Sequence, residues 1–473
     1  MEPIVKPDFW HLQVSTPVKQ IACTDGKGGS LTYQELNDWV DQIGVCLASH
    51  GQRQLGFLFS NNSLEWLCIY LACLRTGHVP LLLPSDLESG LSNQLLDTYQ
   101  PAWVWRPSKV QEESKESLQL TASVFAAFDW RQPSAIEQLH PDLGLLLSTS
   151  GSTGSPKLVR LSYRSLTANA SSIANYLNIQ ESDKALTTLP PNYSYGLSVI
   201  NSHLAAGATL LMNNISLMSR DFLRTVQQEK VTSLAGVPTW YQMLLRTGFD
   251  KAEVPSLRVL TQAGGRLEER TKRAVLNFAK IKGLRFFVMY GQTEATARIS
   301  YVPPDALPDK LDSIGIPIPG GSLELDSNTS ELIYRGPNVM MGYADSRQDL
   351  SKDDELGGVL RTGDIGAVDP QGFFAITGRL KRFVKLSGNR YGLDEIEKQL
   401  SNLTHAHVAV IGRDERLGVW VEGSEDELLA LVKGFLQEKY ALHHTLFRIH
   451  LVPALPLLPT GKRDYSTLLL QLG

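Results

Sequence analysis

The junction at residue 148 most constrains what this chain can become. An apolar run of strand length, Leu143-Gly144-Leu145-Leu146-Leu147, leads without a break into Ser148-Thr149-Ser150-Gly151-Ser152-Thr153-Gly154-Ser155-Pro156-Lys157. Glycine lets a backbone bend until successive N–H groups converge, and converging N–H groups form a nest for an anion. The hydroxyls add donors and Lys157 adds positive charge, so the stretch suits a polyphosphate. A Ser/Gly-rich surface linker could share the composition, but it would not need a buried-type strand leading into it.

The phosphate loop of P-loop NTPases does not fit. That loop needs a lysine directly after glycine and a hydroxyl directly after the lysine. Here Ser155 and Pro156 separate Gly154 from Lys157, and Leu158 follows. Pro156 also has no N–H to offer a phosphate and favours an extended residue before it.

Upstream, strand-like and helical patterns alternate. Thr32 and Glu35 have capping-box spacing, and Leu36, Val40, Ile43 and Leu47 then recur at helical intervals. Leu55 to Phe59 reads as a buried strand, and Asn62-Ser63-Leu64-Glu65 as a cap. The helix that follows runs to about Arg75 and stops at Gly77, before a strand at Val79 to Leu83. Strands alternating with capped helices predict an α/β domain with a largely parallel sheet. Residues 101–140 carry mixed charge and little period, and read as a connecting strand with surface segments.

Composition excludes some classes of function. The chain has 473 residues, enough for two or three domains. A formal net charge of −4 gives no reason to expect nucleic acid or an anionic membrane as partner. Apolar runs such as Leu67 to Leu74 are too short for a membrane span, and Met1 to Val14 holds no apolar signal-peptide core. Four cysteines without metal-ligand spacing fit reduced thiols and a cytoplasmic location.

Further motifs follow in order. Ser165 to Leu177 is helical, and Leu189-Pro190-Pro191-Asn192-Tyr193-Ser194-Tyr195-Gly196-Leu197 comes next. Ala235-Gly236-Val237-Pro238-Thr239-Trp240 precedes Thr261-Gln262-Ala263-Gly264-Gly265-Arg266, where paired glycines permit close backbone approach. Phe286-Phe287-Val288-Met289-Tyr290-Gly291-Gln292-Thr293-Glu294 is a buried strand ending in an aromatic, a glycine turn, a hydroxyl and a carboxylate. Ligands of open α/β sheets sit off such carboxyl ends. Residues 313–343 are rich in Pro and Gly, with short strands that suggest a small β unit. Leu360-Arg361-Thr362-Gly363-Asp364, Gly378-Arg379-Leu380-Lys381-Arg382 and Gly388-Asn389-Arg390 come next, and Leu458-Pro459-Thr460-Gly461-Lys462-Arg463 lies near the end. In the last part, Val408–Ile411 and Gly418–Val421 read as strands and Leu428 to Tyr440 as a helix. Phe447, Ile449 and Leu451 alternate with polar residues as a half-buried strand.

In this order the motifs resemble the adenylate-forming superfamily: acyl-CoA synthetases, peptide-synthetase adenylation domains and firefly luciferase, the AMP-dependent synthetase and ligase family. The resemblance covers about residues 30 to 465. It implies an α/β fold. Residues 1–380 would form a large ATP- and acid-binding domain of parallel-type sheets flanked by helices, plus a small β-barrel. Residues 381–473 would form a small, mobile α+β C-terminal domain.

It also implies roles. Thr149, Ser150, Gly151, Ser152, Thr153, Gly154 and Lys157 would hold the β- and γ-phosphates. Gly264, Gly265, Arg266, Tyr290 and Gly291 would border adenine, and Asp364 and Arg379 the ribose. Tyr193, Tyr195, Gly196, Trp240 and Gly264 would line the acid pocket, with a gating aromatic among them. Thr293 would bond the α-phosphate, Glu294 would hold Mg²⁺, and Lys462 would be the catalytic lysine. Lys381 would be the hinge, where most relatives carry aspartate, and Lys385 and Gly388 would face the incoming thiol.

The implied reaction activates a carboxylic acid with ATP and Mg²⁺. An acyl-adenylate forms with release of pyrophosphate, and the acyl group then passes to the thiol of CoA or of a carrier-protein pantetheine. Leu393 stands where acyl-CoA synthetases usually show proline, which leaves both acceptors open. Tyr195 falls where adenylation domains for α-amino acids carry an aspartate, so a fatty or aryl acid is expected. Two other classes stand as alternatives: a non-catalytic binding protein of the same fold, which should have lost at least one of Lys157, Glu294, Asp364, Arg379 and Lys462, and a luciferase-like oxidative enzyme, which shares every motif.

Overall fold

The computed structural model describes residues 8–12, 19–107, 121–132, 138–148, 157–380, 382–386, 389–413, 415–440, 442–458 and 462–472. The phosphate-loop residues Thr149 to Pro156, the hinge Lys381 and Gly388 lie outside them. The chain falls into two compact units. One comprises Met1–Leu311, Gly315–Ser322 and Arg335–Leu360; the other comprises Asp312–Ile314, Leu323–Tyr334 and Arg361–Gly473.

The first unit holds two large sheets. The seven-stranded sheet runs from Gly342–Ala344 through Leu158–Ser162, Leu143–Ser148, Val79–Pro84, Leu55–Ser60 and Trp103–Trp105 to Phe128–Trp130. Its middle is parallel and its outer pairs are antiparallel. Parallel strands need helical crossovers, which the local sequence supplies. Thr32 closes a full capping box, its Oγ1 accepting from the Glu35 N–H at 3.2 Å while Glu35 Oε2 accepts from the Thr32 N–H at 2.7 Å. Ser63 Oγ caps the helix Leu64–Thr76 by accepting from the Trp66 N–H at 3.2 Å. Gly77 ends that helix at φ 82°, a conformation glycine adopts without strain.

The nine-stranded sheet is parallel from Thr209–Leu211 through Lys184–Leu186, Ser233–Gly236, Val259–Gln262 and Arg285–Tyr290. Ser300–Val302 and Ile316–Pro317 continue it antiparallel. Pro317 has no N–H for a ladder and suits this edge. Helix Tyr163–Leu177 packs on the seven-stranded sheet and against helix Ser194–Ala205, which packs on the nine-stranded sheet. One apolar core runs through these elements, including Leu145, Leu166, Ile173, Leu197, Ile200 and Phe287.

The small β unit takes the form of a four-stranded sheet in the order Ser322–Leu325, Glu331–Arg335, Val359–Val368, Phe374–Arg379. The rest of the second unit has a hairpin of Phe383–Leu386 with Asn389–Gly392, and a three-stranded sheet of Val408–Arg413, Arg416–Glu422 and Phe447–Val452. Helices Leu393–Thr404 and Asp426–Tyr440 cover a core that includes Ile396, Val410, Val419 and Val432. Among the described residues, no helix is long and apolar enough to cross a membrane.

Candidate active site

The side chains of Glu294, Tyr343 and Lys157 define the polar centre. Glu294 lies in the 3-10 turn Thr293–Ala295, after strand Arg285–Tyr290. Its Oε1 accepts from the Tyr343 hydroxyl at 2.9 Å. The Lys157 ammonium lies 4.1 Å from the centre of the same Tyr343 ring, within cation–π range. The described end of the phosphate stretch and the expected metal carboxylate therefore meet on one tyrosine. Burial first, then the Glu294 carboxylate, pushes the Tyr343 hydroxyl up, so it stays protonated and donates.

The turn carrying Glu294 is held by buried Asn338. Its Nδ2 donates to the carbonyls of Ala295 at 2.9 Å and Arg298 at 2.8 Å, and its own carbonyl accepts from Thr296 Oγ1 at 2.7 Å. The Met340 N–H donates to the Glu294 carbonyl at 2.9 Å. Gly291 must be glycine here, because a Cβ would run into the Ala297 carbonyl. Glu294 is thus fixed at both its backbone and its carboxylate.

The expected pocket residues lie in the same unit. Tyr193 precedes helix Ser194–Ala205, and Ser194 Oγ lies 3.2 Å from Thr293 Oγ1, joining the segment expected to gate the pocket to the hydroxyl expected at the α-phosphate. Gly264 has φ 84°, and a Cβ on it would strike the Tyr193 hydroxyl. Tyr193 therefore lies across the glycine turn. Buried Gln262 braces that turn by donating to the carbonyls of Gly265 at 2.9 Å and Ala263 at 3.2 Å. Arg266 is exposed, while Tyr290 is half-buried and its hydroxyl accepts from Gln292 Nε2 at 3.0 Å. Gly196 allows the gate helix to start close under the Pro190 carbonyl. Trp240, on helix Pro238–Arg246, packs edge-on against Tyr241 and Phe222.

Tyr195 points inward, nearly fully buried, with its hydroxyl 2.8 Å from Thr261 Oγ1. It borders a small cavity of about 10 Å³, whose polar lining includes Ser198, Thr261, His203 and Arg298.

In the second unit, Asp364 and Arg379 face each other across the antiparallel pair Val359–Val368 and Phe374–Arg379. Arg379 Nε donates to Asp364 Oδ1 at 2.8 Å, the carboxylate being buried and the guanidinium exposed. Lys385 is exposed on its hairpin. Lys462 is exposed on a turn closed by the Leu458 N–H donating to the Lys462 carbonyl at 2.7 Å, with Leu457 bridged to Arg463. Behind this turn, Glu397 accepts from Arg463, from the Tyr465 hydroxyl at 2.8 Å, from Arg382 Nη2 at 2.9 Å and from the Val410 N–H at 3.0 Å.

Tyr343, Asn338, Glu397 and Arg298 were not singled out by sequence reasoning. Tyr343 was legible only as the aromatic closing the Pro/Gly-rich stretch. Arg298 could have been noticed as the one charge in Ala295-Thr296-Ala297-Arg298-Ile299.

For magnesium, the described residues contain no cluster of three or more His, Cys, Asp or Glu able to hold a metal by themselves. A single carboxylate fits Mg²⁺, which takes one or two carboxylates and completes its shell with phosphate oxygens and water.

The chain is similar to known proteins over most of its length. A family model described as "AMP-binding enzyme" matches residues 10–344. Indoleacetate–CoA ligase of Aromatoleum aromaticum is 30% identical over 424 residues, covering 82% of this chain and 81% of that protein. Feruloyl-CoA synthase of an Amycolatopsis species is 27% identical over 468 residues, 92% of each. Among solved structures, the Bacillus subtilis o-succinylbenzoate CoA synthetase with its acyl-adenylate intermediate superposes with a TM-score of 0.77 at 22% identity, covering 98% of each chain.

Proposed function

The chain belongs to the family of AMP-binding enzymes, and from that membership we propose that it activates an aryl or acyl carboxylic acid with ATP and passes the acyl group to the thiol of CoA. The observation that carries this reading is the meeting of Lys157, Tyr343 and Glu294 on one face of the first unit.

A carboxylate is a poor acyl donor because its leaving group is oxide. Attack of the acid's oxygen on the α-phosphorus of ATP expels pyrophosphate and leaves an acyl-adenylate. Thiol attack at the acyl carbon then expels AMP. No protein nucleophile is needed, so positioning and charge stabilisation carry the catalysis. Lys157 neutralises the outer phosphates. Thr293 donates to the α-phosphate, and Ser194, 3.2 Å away, orients it. Glu294, oriented by the Tyr343 hydroxyl, would hold Mg²⁺, which when bound would offset phosphate charge. Asp364, set by Arg379, accepts from the ribose hydroxyls. Lys462 supplies positive charge to the α-phosphate during adenylation. Residues 381–473 act as a mobile domain hinged at Lys381, which brings Lys385 and the Gly388 loop to the thiol in the second step.

CoA is the proposed acceptor because ligases named for it match this chain over most of both lengths. Offering CoA and a pantetheinylated carrier protein in parallel separates the two thiols. A cytoplasmic place of action accords with four unpaired cysteines.

Glu294→Gln keeps the shape and removes the charge. Adenylation should then need on the order of tenfold more Mg²⁺ for half-maximal rate. A magnesium titration of pyrophosphate exchange checks this, and an unchanged midpoint would make Glu294 structural.

α-Amino acids should be poor substrates. The position beside the gate is Tyr195, and the Arg298 guanidinium lies 4.5 Å from its ring centre, so an ammonium would meet a positive charge rather than a carboxylate. A buried charge facing a like charge is strongly disfavoured. Exchange with an α-amino acid should fall about 10²-fold or more below its deaminated analogue. Preference for the amino acid would overturn this assignment.

A further inference from the structure

Arg298 is 2% exposed, yet it sits in a cavity wall that contains no acidic side chain. Its Nη2 donates to Ser198 Oγ at 3.1 Å, and its guanidinium carbon lies 4.5 Å from the centre of the Tyr195 ring. Ser198 is itself oriented, because its hydroxyl donates to the Tyr195 carbonyl at 2.7 Å and so presents a lone pair to the arginine. The Arg298 Nε has no hydrogen-bond partner among the described residues. None of their carboxylates forms an ion pair with the guanidinium. A buried guanidinium held only by neutral groups, with one donor unmet, is an arrangement that folding alone disfavours.

The surroundings keep that charge uncompensated. His203, on the same wall, is buried, and burial lowers its imidazole below the ordinary value. Its Nδ1 lies 2.8 Å from the Val199 carbonyl, which only accepts, so the ring donates there. Ser202 and Thr261 add neutral hydroxyls. The cavity's volume of about 10 Å³ is room for roughly one water. A long alkyl tail has no place there, whereas one carboxylate oxygen in the place of that water would satisfy the arginine.

We propose that the acid activated by this enzyme carries a second carboxylate, at the end away from the reacting one, and that Arg298 binds it in the cavity beside Tyr195. The inference rests on the reading that the site activates a carboxylic acid, and it narrows the substrate class to diacids with an aryl or short acyl body. Arginine presents a planar fork of donors that matches a carboxylate. Arg298 acts on specificity, and the chemistry at the α-phosphate proceeds without it.

The test is pyrophosphate exchange by the intact enzyme over straight-chain and aryl diacids, each paired with its own monomethyl ester. The ester keeps the length and one reactive carboxyl and removes the second charge. For the best diacid, kcat/KM should exceed that of its ester by about 10²-fold, carried largely by KM, because the ester buries Arg298 without a partner. Arg298→Met should collapse the ratio to within about threefold, and Arg298→Lys should keep part of it. If wild-type enzyme turns over esters or plain monoacids as well as diacids, the proposal fails while acid activation stands. If no acid of either kind supports exchange, acid activation itself fails. The wild-type ratio decides the matter even should a variant not fold.

Discussion

Lys462→Ala should lower acyl-adenylate formation by about 10²- to 10³-fold, the loss of ~3–4 kcal/mol that follows removal of one preorganised charge-stabilising donor. Thioester formation from acyl-adenylate supplied ready-made should survive. Lys462 sits exposed on the turn bridged by Leu457 and Arg463, away from the apolar core of its unit, so its removal leaves folding intact. Lys381→Pro should show the reverse. A fixed φ at the proposed hinge would block the second backbone setting and spare the first half-reaction. The check is to measure both half-reactions in both variants. Equal losses in the two halves for each variant would remove the case for a domain that changes setting between steps.

Glu397→Ala should destabilise the second unit by ~3–5 kcal/mol, the cost of leaving buried partners of an ion pair uncompensated. Glu397 is 8% exposed and holds Arg382, Arg463, Tyr465 and the Val410 N–H at once. Arg382 also pairs with Asp394 and lies 4.0 Å over the Tyr465 ring. One carboxylate thus ties Arg382, next to the proposed hinge, to Arg463, next to the proposed catalytic lysine. Amide hydrogen exchange in strand Arg416–Glu422 reports the loss, with protection expected to fall by about 10²-fold or more. Protection in strand Leu143–Ser148 of the first unit should hold. Unchanged protection in Arg416–Glu422 would mean that the cluster is not structural.

Much of the fold was legible because its signals are local. The Thr32–Glu35 box, the Ser63 cap, the Gly77 stop and the apolar runs at Leu55, Val79 and Leu143 are short-range patterns. Each became the element they predict, with ends within a residue or two. The fate of the short strands was less legible. Ile316–Pro317 and Gly342–Ala344 join the two large sheets as edges, a choice made by long-range pairing with Ser300–Val302 and Leu158–Ser162.

The site divides in the same way. Glu294, Asp364 and Arg379 stand in motifs, and the structure gives them defined partners. The diad Asp364–Arg379 could not be read as a contact, since its cross-strand register depends on a bulge between Ile365 and Gly366. Tyr343 and Arg298 carry no periodic signal at all. Tyr343 matters because tertiary folding brings it to Glu294 across 49 positions of sequence. Arg298 matters because its neighbours Ala297 and Ile299 draw it into the core with no acid nearby.

Isotope exchange between pyrophosphate and ATP, in the absence of any thiol, tests acid activation most directly. Label should enter ATP only when a carboxylic acid and Mg²⁺ are present, and AMP rather than ADP should accumulate once CoA is added. Exchange that ignores the acid, or turnover that yields ADP, would contradict acyl-adenylate formation at the Lys157–Tyr343–Glu294 centre.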